Sequence, residues 1–130
     1  MQAAPSSSVG NIRSFRDLDV YAAAMEIFER TKEFPKEETY AMVDQMHRSS
    51  RSVCANSAEA WRRRRSADYF RLKLGDAERE AAETRVWIEF AYRCEYLTAD
   101  VVQDLDHQYD QIVGQRVHMI ANAEDWKIRE

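Results

Sequence analysis

The sequence predicts an all-α fold, an antiparallel up-down-up-down left-handed four-helix bundle, and three observations carry that prediction. The chain of 130 residues holds only 3 glycines and 2 prolines, too few for the many turns of a sandwich or barrel. Four segments carry apolar residues at three- and four-residue steps, the period of a helix with one buried face. The third segment alternates those steps through Phe70, Leu74, Ala77, Ala81, Thr84, Ile88 and Ala91, the heptad seam of a left-handed bundle. Short connections between four such helices favour antiparallel neighbours.

The first helix is expected from about Ser14 or Asp17 to Glu33. Its predicted inward stripe is Leu18, Ala22, Met25 and Phe28, with Tyr21 beside it. Asp17 and Asp19 suit the positive end of the helix dipole. Phe34-Pro35 ends this helix, because a residue before proline is pushed out of the helical region. The second helix starts just after Pro35, with Glu37 and Glu38 in its first turn. Its inward stripe is Tyr40, Val43, Met46, Ser50, Val53, Ser57 and Ala60, whose small members admit a close neighbour.

Ser66 is the expected N-cap of the third helix, with Asp68 in the first turn. Beside its heptad seam runs a second stripe of Tyr69, Val86, Trp87, Phe90 and Cys94, so this helix asks for a broad partner. Gly75 costs about 1 kcal/mol against alanine in a helix, which points to a close contact there. Thr98 is the expected N-cap of the fourth helix, which runs to about Asn122 with Val102, Leu105, Tyr109, Ile112 and Met119 on its stripe. Trp126 follows in a charged tail, where it folds back on the bundle or meets another subunit. The domain organisation is a tail over 1–13, one helical domain over 14–126 and a short tail over 127–130.

Composition narrows the function. Hydrophobic residues are 45% and charged residues 32%, an ordinary balance for one soluble core. No apolar run approaches the ~20 residues of a membrane span, and the N-terminus lacks the basic and apolar regions of a secretory signal. The expected location is the cytoplasm, with no membrane partner. Cys54 and Cys94 lie in helical patterns and are expected to be free and buried. His47, His107 and His118 lack a glutamate three positions before them, so no di-iron pattern exists, and no metal or cofactor is expected. No nucleophile elbow or phosphate-cradling glycine loop occurs, and no catalytic residue is assigned.

The positive signal is cationic. The formal net charge of −4 is uneven: residues 1–44 carry −3, residues 45–80 carry +4, and residues 81–130 carry −5. Arg48 and Arg51 lie one turn apart on the second helix. Arg62, Arg63, Arg64 and Arg65 close it, and Arg71 and Lys73 begin the next. Guanidinium groups bind phosphates bidentately and stay charged at physiological pH. These eight residues form a candidate nucleic-acid surface; a short basic run in a chain that is acidic overall reads more readily as a solvated face or a set of salt bridges. Trp61 and Tyr69 flank the run, as base-stacking platforms or as core and interface aromatics.

Several ordered segments carry a family resemblance: Phe15-x-x-Leu18-x-Val20-Tyr21, Phe34-Pro35-x-Glu37-Glu38-x-Tyr40, Gln45-Met46-x-Arg48-Ser49-Ser50-x-Ser52-Val53, Ala58-Glu59-Ala60-Trp61-Arg62, Glu80-Ala81-x-Glu83-Thr84 and Trp87-Ile88-x-Phe90-Ala91. From about Phe15 to Trp126 the chain resembles the bacterial four-helix-bundle proteins encoded in intervening sequences of 23S ribosomal RNA genes. It departs at Ser57, usually a large apolar residue in that family, and at Glu95, often glycine. The resemblance implies a left-handed antiparallel bundle and a homopentameric ring, with Trp61, Trp87, Phe90 and Trp126 as candidate interface residues. A related branch is the accessory protein of diversity-generating retroelements, which implies RNA or another nucleic acid, and a reverse transcriptase, as partners. The resulting expectation is a non-enzymatic oligomer with a basic surface for nucleic acid. The alternative is a protein-interaction scaffold or accessory subunit without nucleic-acid contact.

Overall fold

The amphipathic segments fold as helices, and the computed structural model describes residues 19–128. Among the described residues there are five α-helices and no strand: α1 (Asp19–Thr31), α2 (Asp44–Arg62), α3 (Ala67–Arg93), α4 (Ala99–Ala121) and the single turn α5 (Ala123–Trp126). The tail over 1–13, the expected start of the first helix and Leu18 lie outside the described residues. α2 packs along α3, α3 along α4, and α1 against both α2 and α4.

α1 buries a different face from the one its periodicity suggested. Val20, Ala23, Ile27 and Thr31 point inward, whereas Met25 and Phe28 are exposed, at 41% and 37%, and Ala22 is exposed as well. Between Val20 and Phe28 only Glu26 is charged, so spacing alone admits two apolar faces. Polar contacts select one of them. Gln108 on α4 donates to Glu26 at 2.9 Å, Arg116 on α4 donates to Asp19 at 3.4 Å, and the Thr31 hydroxyl meets His47 Nε2 on α2 at 2.7 Å.

The α1–α2 connection also departs from expectation. Pro35 leads into a 3-10 turn (Lys36–Glu38), then a wider π turn (Thr39–Val43) that runs into α2. A wider turn changes the angular register of everything before it. Tyr40 therefore leaves the inward stripe and is 93% exposed, while Met42 is buried in its place. Beyond the π turn the predicted stripe holds: Met46, Ser50, Val53, Ser57 and Ala60 are all buried, with Ser49 added to them.

All seven residues of the α3 seam are buried. Small side chains on α2 let α3 approach until the Thr84 hydroxyl donates to Ser49 Oγ at 2.8 Å. The cap residues also act as expected, with Ser66 accepting from the Tyr69 N–H at 3.1 Å and Thr98 from the Val101 N–H at 3.4 Å. Trp126 folds back on the body of the protein. It joins a second apolar cluster around Ala60, Phe70, Leu74 and Ala123 and meets Trp61 edge-on, ring centroids 6.1 Å apart. The cysteines are free, but Cys54 is only half-buried and Cys94 is exposed. Cys94 stands at the C-cap of α3, one residue past the seam's last turn, where the helix has stopped shielding its sides.

Two backbone positions lead to a stability prediction. A Cβ placed on Gly75 would meet nothing within 4 Å, so the close contact expected there does not exist. Glu95 has φ +64°, a left-handed conformation that a side chain disfavours. The Tyr96 N–H bonds the Ala91 carbonyl and the Glu95 N–H bonds the Tyr92 carbonyl, both at 2.9 Å, which is the Schellman stop that glycine suits best. Gly75→Ala and Glu95→Gly should each stabilise the protein by about 0.5–1 kcal/mol, read as a higher urea midpoint at constant slope. Removing a glycine at one position and introducing one at the other give the same sign, because the first position is helical and the second left-handed.

Candidate functional site

The eight predicted cations do not form one patch. A helix rises about 1.5 Å per residue, so Arg51 and Arg48 lie roughly 16 and 21 Å from Arg62 along α2. Arg48 faces α3, where it bonds Glu80 at 3.3 Å and also Glu83, which in turn accepts from Trp87 Nε1 at 3.2 Å. The hydrogen bond from Arg48 holds the Glu83 carboxyl below the usual carboxylate range. Arg48 thus ties α2 to α3.

Arg51 faces the other way, onto a groove of about 580 Å³ between α1 and α2. No carboxylate among the described residues pairs with it. Its charge reaches His47, one turn earlier on α2, whose ring packs on Phe28 at 5.5 Å. Burial, then the Arg51 charge, lower the His47 pKa, while Asp44 opposes them. A histidine with a lowered folded pKa takes its proton more readily when unfolded. Stability should therefore fall as pH drops through about 6.5, the unperturbed imidazole value. His47→Gln should flatten that part of the melting-temperature profile between about pH 7.5 and 5.5.

Six cations do gather at the α2–α3 corner. α2 ends at Arg62 and α3 begins at Ala67, so Arg62, Arg63, Arg64 and Arg65 line one tight turn. Arg62 and Arg63 share a single carboxylate, Glu59, at 3.3 and 3.9 Å. The Arg63 guanidinium lies over the Tyr69 ring, 4.4 Å from its centroid, and the Tyr69 hydroxyl donates to Glu59 at 3.3 Å. Arg64 reaches no carboxylate among the described residues; it stacks on Trp61 at 3.9 Å and donates to the Trp61 carbonyl at 2.7 Å. Burial lowers its pKa from the ordinary guanidinium value, and it remains a cation at physiological pH. Arg71 pairs with Asp68 at 3.1 Å and Lys73 with Asp76 at 3.8 Å, each within its own helix. Such pairs between neighbours on one helix contribute little and exchange readily, the more exposed Arg71–Asp68 pair above all. α5 brings Glu124 and Asp125 to the same end of the molecule, through Trp126 against Trp61.

Of the candidate interface aromatics, Trp61 and Trp126 touch each other, and Trp87 is half-buried against the core. Phe90 is 51% exposed, with its ring 5.7 Å from that of Trp87.

Sequence reasoning missed a buried charge. Arg116 on α4 is 4% exposed. Its Nε and Nη2 donate to Ser57 Oγ at 3.4 and 3.3 Å, and its Nη1 donates to Asp19 at 3.4 Å and to Gln115 at 2.9 Å. Burial lowers its pKa, with the Asp19 charge working in the opposite direction. A signal was available: Arg116 stands four residues after Ile112 on the α4 stripe, and Ser57 is small where α2 would otherwise carry a large residue. Tyr109, on the same stripe, is fully buried with no partner for its hydroxyl among the described residues.

Fold and site together define a small all-α protein with a cationic corner between its second and third helices. The chain belongs to the 23S rRNA-intervening sequence protein family, whose pattern matches residues 16–117. It is similar to a crystal structure described as a protein with unknown function from the S23 ribosomal protein family of Bacteroides thetaiotaomicron. That similarity has a TM-score of 0.72 at 29% identity and covers 79% of this chain and 92% of the other. No curated protein matches the chain. Among the described residues, no helix is long and apolar enough to cross a membrane, and no three metal-ligating side chains converge.

Proposed function

We propose that this chain is a non-enzymatic, cytoplasmic homo-oligomer that binds RNA through its α2–α3 corner. Its four long helices are an up-down-up-down, left-handed bundle, and five copies form a ring. The antiparallel sense of α2 and α3 is supported by pairs whose numbers rise on one helix as they fall on the other, Ser49 with Thr84 and Glu59 with Tyr69; that of α1 and α2 by Thr31 with His47 at one end and by Asp19 and Ser57, both bonded to Arg116, at the other.

One observation carries the RNA reading. Four successive arginines lie where α2 passes into the turn before α3, with Arg62, Arg63 and Arg65 exposed and Arg64 half-buried; Arg62 and Arg63 divide a single carboxylate, and Arg63 and Arg64 lie over aromatic rings. Phosphates can displace weak local ion pairs, and a ring repeats the corner, which adds avidity. Arg48 and Arg51 contribute elsewhere in the fold. The test is a gel-shift titration of the full chain against structured RNA at two salt concentrations. Absence of binding at low salt, with the oligomer intact, would overturn the RNA reading.

A second reading is a protein-interaction scaffold, favoured by the acidic residues of α5 beside the corner and by the apolar groove between α1 and α2. In that case charge reversal at the corner disturbs assembly or partner capture, and RNA is not retained.

A further inference from the structure

α1 carries more apolar surface than its own fold covers. Its second face joins α2 to make the groove, with Tyr21, Met25 and Phe28 on one wall and Cys54, Ala55 and Ala58 on the other. The alanines keep the α2 wall low, and Arg51 stands at the rim. The α3 helix has the opposite shape: Val86 and Phe90, one turn apart, are 53% and 51% exposed on a convex surface. Beside Phe90 lies Glu89, whose pairing among the described residues is an exposed contact to Arg93 at 2.9 Å on its own helix.

We infer that the α1–α2 groove of one copy receives the Val86–Phe90 ridge of a second copy, head to tail. This rests on the oligomeric part of the function proposed above and adds the faces that meet. The groove is concave, apolar and about two turns long; the ridge is convex, apolar and one turn long. The charges are complementary, since Arg51 pairs with no carboxylate among the described residues and Glu89 accompanies the ridge. Pairing them takes Glu89 from a solvated local partner to one beside a dry contact, where a charge pair gains strength. Groove and ridge occupy different parts of the molecule, because α1 packs on α2 and α4 while the ridge is on α3. Each contact therefore leaves a groove open on one copy and a ridge open on the other. Such a heterologous contact propagates until it closes as a ring.

The experiment uses two full-length variants, Phe28→Asp in the groove and Phe90→Asp on the ridge. Both positions are exposed, and helix content is checked by circular dichroism. Met25→Asp and Val86→Asp serve as a second pair if either phenylalanine variant loses helicity. Mass is measured by light scattering. The expected result is an oligomeric parent, two monomeric variants, and a 1:1 dimer when the variants are mixed, since one intact groove and one intact ridge remain between them. In the parent background, Arg51→Glu should weaken assembly about tenfold, and adding Glu89→Arg should restore it.

A parent that is already monomeric overturns both this inference and the oligomeric reading. An oligomeric parent whose variants still assemble overturns the groove–ridge contact and leaves that reading in place. Variants that become monomeric but fail to pair on mixing overturn the head-to-tail arrangement.

Discussion

Replacing Ser57 with leucine should destabilise the protein by about 3–5 kcal/mol, and adding Arg116→Ala should recover most of that loss. Ser57 is the acceptor for two nitrogens of a guanidinium that is almost fully buried. Leucine removes the acceptor and fills the space the guanidinium uses. The charge is then left with Asp19, which is itself 44% exposed, and with Gln115. Breaking a buried charged contact from one side costs several kcal/mol, because the remaining charge is desolvated and under-paired. Arg116→Ala removes that charge and opens room that the leucine can fill. Arg116→Met alone should fall within about 1 kcal/mol of the parent, since an apolar side chain of similar length exchanges desolvation cost for packing. Urea midpoints at constant slope give the four corners of the cycle. Additive effects of the two substitutions would show that Ser57 and Arg116 do not share one space.

Reversing Arg62, Arg63, Arg64 and Arg65 to glutamate should remove RNA binding altogether. Parent affinity should fall steeply with salt. Engaging about three phosphates per subunit gives a log–log slope near −2 to −3, or roughly 20- to 50-fold between 50 and 200 mM salt for a single subunit. Reversal of the same four residues leaves Arg48 and Arg51 themselves in place, because they lie about four and three turns from Arg62 along α2. The oligomer should therefore survive, which separates an RNA-binding defect from an assembly defect. Arg48→Ala is expected to act on the other side of that division. It frees Glu80 and Glu83 and loosens the α2–α3 seam, while RNA affinity changes little. Loss of the oligomer on corner reversal, with no RNA retained by the parent, would favour the scaffold reading.

Much of the fold was legible in the residues, for reasons that differ by element. The α3 seam could be read in full because its positions keep an unbroken three- and four-residue alternation from Phe70 to Ala91, whereas the second stripe is interrupted between Tyr69 and Val86. The caps at Ser66 and Thr98 could be read because each hydroxyl acts within its own first turn. α1 could not be read the same way, since an almost wholly apolar segment offers two faces of equal merit. The stripe of α2 failed at Tyr40, inside a π turn that no local composition announced. At the candidate site, the run from Arg62 to Arg65 was legible as a patch because consecutive residues on one turn stay together in any fold. Where Arg48 and Arg51 lie relative to that run was not legible. They sit on the same helix but point toward different neighbours.

The sequence by itself determined that four long helices form, where α3 and α4 begin, which seam α3 would bury, and that one cationic cluster would sit between two helices. Each of those is a matter of residues within a few positions of one another. Only the tertiary structure decided which side of α1 turns inward, which arginines are held by carboxylates, and that Arg116 is enclosed. Those outcomes depend on partners brought together across the chain, Asp19 with Arg116 being 97 residues apart. A charge is buried or exposed according to what packs over it, and helical period carries no record of that.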